Sequence, residues 1–95
     1  MIRNVVVGRL HPESDPAALH AALAAIDALT PVGLIDKRIG PDLRLREGSW
    51  DFAITSDFAD EQAYRAYDGD AEHNRIRREM FAPLCAEIVR VQFRA

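Results

Sequence analysis

Only one cysteine, Cys85, occurs in this chain. It has no partner for an internal disulfide and fits a reducing compartment. A surplus of positive charge is also missing. Lys and Arg number 12 against 15 Asp and Glu, a formal net charge of -3. Nucleic-acid binding normally rests on a basic face, so no nucleic-acid partner is expected. No apolar run approaches the roughly 20 residues that cross a bilayer, so no membrane span is expected. Arg9 interrupts the apolar stretch after Met1, which argues against a secretory leader. Glycine-rich phosphate loops and dinucleotide fingerprints are absent, and no cofactor is expected. The histidines, His11, His20 and His73, are scattered without a short ligand spacing, and no metal site is expected. These absences leave a soluble, cytoplasmic protein as the default.

What is present is a 95-residue chain, 48% hydrophobic and 28% charged. That composition suits one globular domain spanning residues 1–95 and does not suit disorder. A chain this short buries a modest share of its apolar surface, and association is a common remedy.

Ile2 to Leu10 is β-rich. Asn4, Val6, Gly8 and Leu10 fall on one face, and Val5, Val7 and Arg9 on the other. Gly8 weakens a strand unless something must approach it closely. Asp15 followed by Pro16 reads as a capped helix start. Leu19, Leu23, Ile26 and Leu29 form that helix's apolar stripe, and Pro31 and Gly33 end it. Leu34 to Ile39 reads as a polar edge strand, with Asp36, Lys37 and Arg38 discouraging stray pairing. Gly40 to Ser49 reads as a loop. From Trp50 to Phe58 residues alternate at period two, which suits a strand inside the sheet. Asp60 is placed to cap the next helix, whose inner stripe holds Ala63 and Tyr67. Gly69 breaks it. A further helix carries His73, Ile76, Met80 and Phe81 inward, with Arg75, Arg77, Arg78 and Glu79 mostly on the other side. Ala86 to Phe93 is a last strand. Ile88, Arg90 and Gln92 share one face, and Val89, Val91 and Phe93 the other.

The order β-α-β-β-α-β, with the second helix broken, predicts an α+β ferredoxin-like unit with a four-stranded antiparallel sheet. MIRNVVVGRL at the start, GSWDFAITSDFADEQAYRAY in the middle, AEH at the third helix and EIVRVQF at the end resemble the stress-responsive A/B barrel (Dabb) domain. The resemblance runs over essentially the whole chain. It implies a homodimer joined sheet to sheet into an α/β barrel. It is similar in fold to olivetolic acid cyclase, a cofactor-free plant enzyme that closes a polyketide ring with histidine and tyrosine. His73 matches the helix histidine of that pocket, and Tyr67 the tyrosine before it. Asn4 stands where the family often has a first-strand histidine. Phe52 stands where the cyclase has one on the third strand. Asp70 and Ala71 replace the usual His-Pro pair.

His73, Tyr67, Asn4, Phe52, Ile54 and Arg90 are therefore the candidate site residues. The ordinary imidazole pKa lies near neutral pH, so His73 can serve as acid or base. Its bland alternative is a helix-start histidine bonded to backbone or solvent. Tyr67 would orient a carbonyl or hydroxyl, or else simply fill the core. Asn4 and Arg90 would hold an anionic or carbonyl group, although Arg90 also suits a surface ion pair. Phe52 and Ile54 would line the pocket. The family resemblance thus implies a cofactor-independent cyclase or lyase for a small carbonyl or phenolic compound. A non-catalytic stress-associated dimer and a cofactor-free dimeric-barrel monooxygenase are the alternatives.

Overall fold

The computed structural model describes residues 1–95. The elements are β1 (Ile2–Leu10), α1 (Pro16–Asp27), β2 (Leu34–Pro41), β3 (Phe52–Phe58), α2 (Glu61–Asp68), α3 (Ala71–Ile76) and β4 (Cys85–Arg94). A wide helical turn, Arg77–Phe81, continues α3. The strands form one antiparallel sheet in the order β2-β3-β1-β4. This is the ferredoxin-like arrangement expected from the element order. No helix is long and apolar enough to cross a membrane.

Each helix start is set by an aspartate. Asp15 accepts from the Ala17 amide, Asp60 from Ala63 and Asp70 from His73. The other end of α1 has no basic residue of its own. Lys37 supplies one from β2, donating from Nζ to the Ile26 and Leu29 carbonyls at 2.7 and 2.6 Å. Those carbonyls are among the groups a helix leaves unpaired.

The helices cover one face of the sheet. Ile39, Ile54, Val6 and Arg90 pair across it in one row, and Lys37, Ser56, Asn4 and Gln92 in the next. Leu19, Ala22, Leu23 and Ile26 of α1 pack on Phe52 and Ile54, with Ile76 and Phe81 completing the core. Cover thins toward β4, where Ile88 is half-buried and Arg90 and Gln92 are exposed. The opposite face carries no helix. Its Val89, Val91 and Phe93 are 50%, 56% and 46% exposed, and the Arg3 guanidinium pairs there with Asp57 at 2.7 Å.

β3 begins at Phe52 rather than Trp50. At Asp51 the side chain leaves the pleat, accepting the Leu10 amide at 2.7 Å and pairing with Arg44. Trp50 is half-buried, with the Arg9 guanidinium 5.8 Å from its ring centre.

Gly8 answers the question its presence in a strand raises. A Cβ there would lie 2.1 Å from Phe52 Cζ. The Phe52 ring crosses the strand at that point and rests 5.5 Å from Phe81, centre to centre. Gly8→Ala is therefore expected to lower stability by about 1–3 kcal/mol through overpacking. Adding Phe52→Leu should recover part of that loss, because the two sites touch. The urea unfolding midpoints of both variants test this, and an unchanged midpoint for Gly8→Ala would refute the close approach.

Candidate functional site

The break between α2 and α3 brings two aromatic rings together. α2 ends at Gly69, and Asp70 restarts the helix by accepting the His73 amide at 2.9 Å. Tyr67 closes the first segment and His73 opens the second. Their ring centres lie 4.0 Å apart at 33°. The Phe58 ring supports Tyr67 from the sheet at 5.2 Å.

A cavity of about 50 Å³ opens beside these rings, between the helices and the sheet. Every candidate residue from the sequence lines it: His73, Tyr67, Asn4, Phe52, Ile54 and Arg90. Its apolar wall also includes Val6, Ile26, Phe81 and Ile88. The volume leaves room for roughly four water molecules. Larger hollows of about 350, 380 and 420 Å³ lie elsewhere. None of them is lined by His73 or Tyr67. His11 and His20 border the last of these and are exposed.

Three lining residues escaped the sequence reading: Tyr64, Asp68 and Arg77. The sequence pattern puts Arg77 in a group lying mostly on the outer side of its helix, whereas the structure places it in the cavity wall. It lies four residues after His73, which is the spacing of one helical face. It also starts the wide turn, where the Ala82 amide reaches back five residues to the Arg77 carbonyl at 2.9 Å. Turns of this kind are rare and occur often at functional sites. Arg77 Nη1 donates to Asn74 Oδ1 at 3.1 Å and stands 3.9 Å from Asp68.

The surroundings set the charge states. Burial, followed by the Arg77 cation, pushes the His73 pKa below its ordinary value, while Asp68, Asp70 and the Tyr67 carbonyl pull weakly upward. Nδ1 of His73 is buried without a hydrogen-bond partner. Burial first, and Asp70 next, push the Tyr67 hydroxyl up to about 12. At neutral pH the pair is thus a neutral imidazole beside a phenol that keeps its proton. Asn4 is fixed from the side, its Oδ1 accepting from Gln92 Nε2 at 2.8 Å. Cys85 is half-buried, and burial raises its thiol pKa, so it is a poor nucleophile.

The family model of the stress responsive A/B barrel domain matches residues 2–95. Among curated proteins no sequence matches this chain. A dimeric ferredoxin-like protein of unknown function from Thermobifida fusca is 28% identical, with 99% of this chain and 90% of that one covered at a TM-score of 0.88. Hydroxynitrile lyase from Passiflora edulis is 18% identical over 97% of this chain and 90% of its own, with a TM-score of 0.82. SnoaB, a cofactor-independent oxygenase from Streptomyces nogalater, is 17% identical over 99% and 91%, with a TM-score of 0.79. At those identities the two enzymes share the fold with this chain and no more.

The His73 shift has a consequence for stability. Its folded pKa lies below the unfolded value of about 6.5, so the unfolded chain takes up the proton first. His73 therefore contributes a loss of stability as pH falls through about 6.5, and none above it. The lowered carboxyls of Asp51, Asp57 and Glu72 act only in the separate window below their ordinary range, near pH 4. Urea midpoints measured from pH 7.5 to 5.5 should fall for the wild type and fall less for His73→Gln. Parallel slopes would show that His73 is not held neutral by burial.

Proposed function

Because this chain belongs to the stress responsive A/B barrel domain family, we propose that it is a homodimeric, cofactor-independent enzyme of lyase or cyclase type. It acts on a small carbonyl or phenolic compound in the cavity beside His73. The observation that carries this reading is the His73–Tyr67 pair, 4.0 Å apart between ring centres and lining one partly apolar cavity. Neutral His73 takes a proton from the carbon next to the substrate carbonyl. The released electron pair forms the carbon–carbon double bond of an enolate. The Tyr67 hydroxyl donates a hydrogen bond to the oxygen that gains charge, and its raised pKa keeps that proton in place. Asn4 and Arg90 orient the compound, and Phe52 and Ile54 form the apolar wall. The cavity volume of about 50 Å³ favours a substrate of few heavy atoms over a long polyketide.

The homodimer is read from the helix-free face. Val5 and Val7 are half-buried there and Val89, Val91 and Phe93 largely exposed. None of the helices packs on that face, so its apolar side chains are open to a second sheet. Leu43 and Leu45 extend this surface, since both line a hollow with Val7 and Trp50. Proteins of this fold from Thermobifida fusca and Bacteroides fragilis are described as dimeric. The single Cys85 fits a cytoplasmic setting.

Proton abstraction is measured directly as deuterium uptake next to the carbonyl of small ketones in D₂O. The protein should accelerate uptake for some member of a panel of small aliphatic and aryl ketones. His73→Ala should lower the rate by about 10²–10⁴, the usual contribution of a positioned acid or base. Tyr67→Phe should lower it less. No acceleration with any ketone, or equal rates for wild type and His73→Ala, would favour a non-catalytic dimer instead.

A further inference from the structure

The cavity beside His73 holds more positive charge than proton transfer requires. Arg77 enters from the wide turn after α3, and Arg90 enters from β4 at the thinly covered edge. Most arginines of this chain sit against a carboxylate, as Arg3 does on Asp57, Arg75 on Glu72 and Arg94 on Glu61. Arg90 has no such partner. Arg77 has only Asp68, 3.9 Å away, and both side chains of that pair are about half exposed to solvent. Exposed pairs of this kind hold each other weakly. Asp68 is also the one carboxylate among the lining residues. Two guanidinium groups against one carboxylate leave one positive charge unmatched. The charges of Arg90, Arg77 and Arg65 all reach Tyr64, where they oppose the effects of burial and Asp68 on its hydroxyl. Tyr64, Arg77 and Arg90 all line this one cavity, whereas Arg65 does not.

We propose that Arg90 and Arg77 form a carboxylate clamp at the mouth of the cavity, and that the substrate is a small oxo acid carrying one carboxylate. This inference rests on the functional reading above and adds the charge of the substrate to it. Arginine suits a carboxylate because its planar fork can give two parallel hydrogen bonds. The unmatched charge is one, which fits a monoanion. The carboxylate sits at the exposed mouth by Arg90 and stays partly hydrated. The carbonyl next to it then points inward toward Tyr67 and His73. The volume of about 50 Å³ holds a molecule of pyruvate size more readily than a large aromatic.

Pyruvate and pyruvamide provide the test, since they have nearly the same shape and differ by one charge. Binding is followed through amide chemical shifts in the wild type, Arg90→Gln and Arg77→Gln. Arg90 is exposed, so its replacement should leave the fold intact, as the unperturbed part of the spectrum will report. Pyruvate should bind about tenfold or more tightly than pyruvamide, the effect of one charge-assisted hydrogen bond. Shifts should map to the cavity residues, and the preference should shrink in either variant. Equal binding of the two compounds would overturn the clamp while leaving the proton-transfer reading in place. Pyruvate preference without deuterium uptake would support the clamp and count against catalysis. Shifts confined to exposed Arg46 and Arg78, an undiminished preference in Arg90→Gln, or no binding of pyruvate would each overturn the proposal.

Discussion

Strand β1 is hydrogen-bonded along both edges, to β3 and to β4, and its side chains point alternately to a covered and an uncovered face. Asn4, Val6 and Gly8 lie beneath the helices, while Val5 and Val7 face outward. The chain has helices enough for one face only. The covered face becomes the core and, where cover thins toward β4, the cavity. The uncovered face keeps an apolar patch that water solvates poorly. Removing such area from water contributes roughly 25 cal/mol per Å², so even a partial covering by a second sheet is a substantial gain for a small domain.

Discontinuity in the helical layer creates the site. A single straight helix from residue 61 to 81 would carry Tyr67 and His73 six positions apart, on different faces. The restart capped by Asp70 removes that constraint and stacks the two rings. The wide turn that follows places Arg77 at the cavity and Phe81 in the core against Phe52. The same burial that packs these groups decides their charge. It disfavours imidazolium at His73 and phenolate at Tyr67. Packing and charge state are here one effect seen from two sides.

Much of this was legible in the sequence. The caps Asp15 and Asp60 mark two helix starts, and the alternation of β1, β3 and β4 separates the two sheet faces correctly. Gly8 signals a close approach, and Phe52 is what approaches. All six candidate residues line one cavity. Basic residues cluster around Arg77 and suggest a solvated face, although its four-residue spacing from His73 points inward. The wide turn is invisible to a period of 3.6, since it shifts the register by one residue. Tyr64 and Asp68 lie four apart and share a face, but no sequence pattern reveals where the cavity mouth falls. Alternation alone extends β3 back to Trp50, because it does not show that Asp51 uses its side chain on Leu10 and Arg44.

Sedimentation equilibrium tests the two-faced sheet most directly. A stable pairing of such faces usually buries about 800 Å² per partner. If the outer faces pair, the chain should sediment at twice its monomer mass of 10.6 kDa at about 10 µM, and weaken toward monomer on dilution by mass action. A monomer throughout that range, with Val91 and Phe93 left in water, would contradict the pairing.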